Sequence, residues 1–261
     1  MGFFSIFKDF SIGDLGDWNP QDSLVREDSY DPNTLFQTLI EDKVWQLMDW
    51  SGIFVALEKK GYADGKLVLE FSEPTNQIIQ VFWKEENLIT IRMHVREFDF
   101  TTYGKKIKEN VLSVDWIQTR HPCKIKSENQ LYPGQDVPGL GLFEEIVNFI
   151  GYITLSIRVK AAWNRPEFFH DAVLFHKKFR FPDPKMEAKY RCLIRDLKYL
   201  GMLGLSTAIH SHKIKNGKGD IYKWNAPEMI HIQDTALQDL IFNHHYHAEV
   251  ERCMRKYRFS I

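Results

Sequence analysis

Cysteine is scarce in this chain of 261 residues: the three present, Cys123, Cys192 and Cys253, lie far apart and form no Cys-x-x-Cys pair. That spacing excludes a disulfide framework and a cysteine zinc site, and it fits a reducing, cytoplasmic setting. Charge imbalance is missing too. A formal net charge of -1 argues against a partner such as bulk nucleic acid, which calls for a basic surplus. No run of apolar residues is long enough to span a bilayer. The opening "MGFFSIFKDF" is apolar but short and broken by Lys8 and Asp9, so it fits neither a signal peptide nor a span. Ile6 stands where a myristoylation signal wants Ser or Thr. A soluble protein away from membranes is expected. Also absent are a Gly-x-Ser-x-Gly elbow, a P-loop and a His-Glu-x-x-His pair.

What is present suffices for a core. Hydrophobic residues make up 44% and aromatics 14%, far from a disordered composition. Residues 1–32 are rich in Asp, Gly and Pro around "GDLGDWNPQDS" and read as a loosely held arm. Asp31 or Asn33 can cap a following helix, in which Leu35, Leu39, Val44 and Leu47 recur near one helical turn and Gly52 is the stop. Next, "KLVLEFSE", "QIIQVFWK", "NLITIRMHVREFDF" and "NVLSVDWIQTR" partly alternate and are joined by connections too short for crossover helices. They predict an antiparallel meander of about four strands, with residues 54–65 as a candidate edge strand.

Beyond Trp116 a long polar loop leads into "YPGQDVPGLGLFEEIVNFI", residues 132–150. A helix entered from a Gly-rich turn leaves backbone N–H groups that suit a phosphate, and Gly139 and Gly141 allow close approach. The same turn is an ordinary way to start a helix. A β-like piece, "LSIRVKAA", precedes a helix from Pro166, and a second helix follows Asp183. "KNGKGD" marks a hairpin, and a helix over about 234–256 ends the chain. The order is that of an α/β (α+β) protein with a largely antiparallel sheet, a βαβ-like unit after the meander, and a mainly helical tail.

Two stretches, "DVPGLG" at 136–141 and "AVLFHKKFRF" at 172–181, resemble motifs of the GCN5-related N-acetyltransferase (GNAT) family. The resemblance covers about residues 33–182 and leaves 183–261 as a helical extension. It implies a central mixed sheet flanked by helices and an acyl-CoA, such as acetyl-CoA, as co-substrate. Gln135 and the amides of Gly139, Leu140, Gly141 and Leu142 would hold its pyrophosphate. His176 stands where the family has a Tyr that protonates the leaving thiolate. Asp115 or His121 would be the base that deprotonates an amine acceptor, small or protein-borne. Departures are visible as well: Asp136 stands where the family prefers Arg or Gln, and Arg180 where it has Gly. They leave open a second expectation, a GNAT-like interaction module without chemistry. His244, His245 and His247 form a further cluster, but neighbouring helical positions diverge, so a metal site would need His210 or His212 to close it.

Overall fold

The computed structural model describes residues 34–73, 76–102, 104–122 and 131–261. The expected arm at 1–32, the cap residues Asp31 and Asn33, and Cys123 lie outside the described residues. Helix α1 spans Glu41–Trp50 and α2 spans Ile53–Glu58. The helix expected from Thr34 thus starts later, after a tight turn bridged between Leu35 and Leu39. The edge strand expected at 54–65 is also corrected. Ile53 and Leu57, one helical turn apart, are both buried, and this spacing makes the segment a helix.

The meander is present as strands β1 (Lys66–Glu73), β2 (Asn76–Trp83), β3 (Glu86–Thr102) and β4 (Lys105–Thr119), each antiparallel to the next. Helix α3 (Phe143–Ser156) then carries the chain to β5 (Ala161–Asn164), which pairs parallel to β4. This crossover is the βαβ-like unit read from the sequence. The β-like piece lies later than expected. Leu155 and Ser156 still belong to α3, and Arg158 ends the helix with a left-handed φ of 58°. All four residues of β5 are buried, as a central parallel strand requires.

The remaining elements are α4 (Phe169–Phe175), α5 (Pro184–Leu197), a single 3-10 turn at 198–200, α6 (Gly201–His210), β6 (Lys215–Asn216), β7 (Met229–Ile232), α7 (Thr235–Ile241), α8 (His244–Lys256) and β8 (Phe259–Ser260). Strand β7 completes a six-stranded sheet in the order β1-β2-β3-β4-β5-β7, antiparallel to β5. The protein is therefore mixed α/β with a mostly antiparallel sheet. The single terminal helix expected at 234–256 is two helices, α7 and α8, because Asn243 breaks in to cap α8 by accepting from the Tyr246 amide at 3.1 Å.

The two faces of the sheet differ. Ile79, Val81, Ile91, Met93, Leu112 and Val114 pack into one core with side chains of α1, α2, α3, α5 and α6. On the other face Phe98, Val111, Trp163, Ile230 and Ile232 form a smaller core with Leu237 and Ile241 of α7. Arg92 and Trp116, on that same outer face but beyond α7's patch, are exposed.

Candidate functional site

The Gly/Pro-rich turn is stitched to the end of β4. The Leu140 amide donates to Thr119 Oγ1 at 3.0 Å, and the His121 amide donates to the Pro138 carbonyl at 2.9 Å. Gln135 is used locally: its Oε1 accepts from the Tyr132 amide at 3.2 Å. Leu140 and Leu142 bury their side chains, while Gly139 and Gly141 remain exposed. Helix α3 has no side-chain cap at Leu142 and carries Glu144 and Glu145 in its first turn. Two carboxylates there already use the positive end of the helix dipole and oppose a phosphate. Lys177 meets one of them, Glu144, at 3.3 Å.

Each expected acid or base has its own partners. His121 shares a 2.9 Å hydrogen bond between Nδ1 and the Tyr62 hydroxyl, which fastens the end of β4 to the segment after α2. His176, at the C-cap of α4, stacks on Tyr190 at 4.3 Å and turns Nε2 onto both oxygens of Glu187. Glu187 is fully buried and also accepts from Arg191 Nε at 2.7 Å. Burial opposes its ionisation, but the hydrogen bonds and charges of His176 and Arg191 outweigh that and hold its carboxyl below the usual range. His176 therefore acts as a tie between α4 and α5. Asp115, His121 and His176 share no hydrogen-bonding partner in the described residues.

Asp115 stands in a different setting. Arg92 pairs with Trp116 and Met93 with Val114, so Asp115 is the extra residue of a β-bulge on β4. A bulge re-aims its side chain. The carboxylate here takes His94 Nδ1 at 2.6 Å on one oxygen and the Ser113 hydroxyl at 2.7 Å on the other. Next to this group, Trp163 of β5 lies opposite Ser113, with the Arg96 guanidinium 4.4 Å and the Arg165 guanidinium 5.4 Å from its ring. Arg165 pairs with Glu228 at 2.7 Å. The parallel pairing of β4 and β5 ends at Val114 and Asn164, one residue before the bulge. Both side-chain amide atoms of Asn164, and Nε1 of Trp163, are buried without a hydrogen-bond partner.

Of this group the sequence picked out Asp115 alone. The signal for the others was alternation. Arg92, His94 and Arg96 on one strand, and Ser113 and Asp115 on the next, each recur at every second residue, which puts such side chains on one face. Among the described residues no cluster of His, Cys, Asp or Glu could hold a metal ion, and no helix is long and apolar enough to cross a membrane.

No family model matches the chain, and no curated protein is similar to it. Its function rests on its own geometry.

Proposed function

We propose that the protein transfers an acyl group from an acyl-CoA such as acetyl-CoA to an amine, with its chemistry at the bulge of β4. The observation that carries this reading is the His94–Asp115 pair at 2.6 Å, beside the point where the pairing of β4 with β5 ends. An ammonium must lose a proton before its nitrogen can attack a thioester. With Nδ1–H donated to Asp115, His94 keeps a lone pair on Nε2 and can take that proton, and the carboxylate stabilises the imidazolium that forms. The amine nitrogen then bonds to the acyl carbon, the C–S bond breaks, and the electron pair leaves on the coenzyme A thiolate. The imidazolium proton passes to that thiolate, a role the family resemblance would give to His176, and the freed Nε2 of His94 then takes the second proton that the nitrogen must lose to become a neutral amide. The unpaired amide of Asn164 suits a ligand arm that itself carries amide groups.

A non-catalytic binding module is the second reading. It is favoured by the commitment of His176 to Glu187 and of the Leu140 amide to Thr119. Calorimetric titration with acetyl-CoA, followed by an amine screen with His94→Gln, separates the two. Binding with transfer that His94→Gln loses supports acyl transfer. Binding without transfer to any amine supports the module, and no binding at millimolar acetyl-CoA removes the coenzyme from both.

A further inference from the structure

The strand that carries His94 also bears on which amine reaches it. On β3, Ile91 and Met93 are buried in the main core, so strict alternation turns Arg92, His94 and Arg96 to the opposite face. Alternate residues of a strand lie about 6.7 Å apart, which makes a row with the imidazole in the middle and a guanidinium on each side. Arg92 is exposed opposite Trp116, itself 48% exposed, and Arg96 lies over the Trp163 ring. Neither arginine has an ion-pair partner among the described residues. Arg165, the next cation, is matched by Glu228. Glu70 shares the face, but Ile78 separates its strand from that of Arg92, about 10 Å away across two strand spacings. Two more carboxylates neighbour the row on this face, and both are engaged: Asp115 by His94 and Ser113, and Glu109, opposite Phe98, by Lys160 at 2.6 Å.

A polyamine or lysine side chain would bring cations onto a face that already has a positive surplus. A ligand with carboxylates supplies what the arginines lack, because the guanidinium fork matches carboxylate geometry. We infer that this face takes an amino acid with two carboxylates, received by Arg92 and Arg96, with its amine directed at His94. The role of the amine rests on the acyl-transfer reading above; recognition of the carboxylates does not.

The test is calorimetric titration of the full chain with L-glutamate and, separately, with cadaverine, for the wild type, Arg92→Gln, Arg92→Lys and Arg96→Gln. The expected result is glutamate binding at millimolar concentration or below, weakened about tenfold or more by each glutamine variant. Arg92→Lys should retain part of it, and cadaverine should not bind. Arg92 is exposed, so Arg92→Gln keeps the test valid even if Arg96→Gln, which also removes the stack on Trp163, fails to fold. Absence of glutamate binding to the wild type, equal binding of cadaverine, or glutamate binding unchanged by both substitutions would overturn the inference. Glutamate binding that Arg92→Gln weakens, with no transfer from acetyl-CoA, would uphold carboxylate recognition and remove acyl transfer. Acetyl transfer to cadaverine but not to glutamate would do the reverse.

Discussion

Nε2 of His176 lies 2.9 Å and 3.0 Å from the two oxygens of Glu187, a carboxylate with no solvent exposure. The contact ties the end of α4, which follows the sheet crossover, to α5, the next helix along the chain. Arg191 Nε and the Phe181 amide complete the shell of the carboxylate. Glu187→Gln removes the charge on which both His176 and Arg191 converge. The expected cost is about 2–4 kcal/mol in urea unfolding, because breaking a buried paired charge leaves its partners uncompensated. A change below about 1 kcal/mol would mean that the pair contributes little beyond packing.

Two other histidines set a pH dependence. Burial pushes His231 down to about 4, and it does the same to His170. An unfolded imidazole titrates near 6.5, so between about pH 6.5 and 4 the unfolded chain binds protons that the folded protein does not. Stability therefore falls as pH drops through that window. Asp171, pushed up by burial to about 6, works the other way from about pH 6 down to about 4, since its folded form holds a proton there that the unfolded carboxyl has released. His231 is the cleaner probe. Its Nδ1 donates to the Lys178 carbonyl at 3.1 Å, a bond the amide of Asn can copy. His231→Asn should cut the loss of stability between pH 7 and 5 by about 1–2 kcal/mol. Identical pH profiles for variant and wild type would show that His231 titrates alike in both states.

Gly134 is the turn residue whose replacement the structure opposes most directly. It sits at φ 79°, and a Cβ added there would collide with the Phe168 ring. Gly134→Ala should cost about 1–3 kcal/mol through left-handed strain and displacement of the ring. At Gly141 (φ 68°) an added Cβ meets open space, so Gly141→Ala should cost only the strain, about 1 kcal/mol. Equal losses at the two positions in thermal or urea unfolding would exclude the Phe168 contact as the cause.

The meander and the parallel crossover were legible because short turns and a changing hydrophobic period are local signals. Elements in which two signals compete were not. Residues 53–58 mix β-branched and aromatic side chains that favour a strand, yet the buried pair Ile53 and Leu57 makes them a helix against α1 and α3. The break at Asn243 carried a cap signal, hidden because neither Gly nor Pro separates the apolar residues 240–242 before it from the polar run after it. For the site, Asp115 was found from its strand position. The pairing of His94 with Asp115 depends on a bulge, and no composition or period reveals where a strand inserts its extra residue.

Asn164 offers a trade between stability and binding. It is 3% exposed at the end of β5, and neither of its amide atoms finds a partner. An unsatisfied buried polar group costs about 1–3 kcal/mol, so Asn164→Leu, which puts an apolar side chain in its place, should stabilise the ligand-free protein by about 1–2 kcal/mol. If the amide is kept for a ligand, the same variant loses affinity for acetyl-CoA. Trp163→Phe is the control: it removes another unpaired buried donor, Nε1, and leaves Asn164 intact. Urea unfolding of both variants, paired with calorimetry, reads the two effects separately. A gain in stability with unchanged binding would make Asn164 an isolated packing defect. A loss of stability would show that the amide is already satisfied in the folded protein by ordered water, and the end of β5 would then hold no unpaired group for the arm of an acyl-CoA.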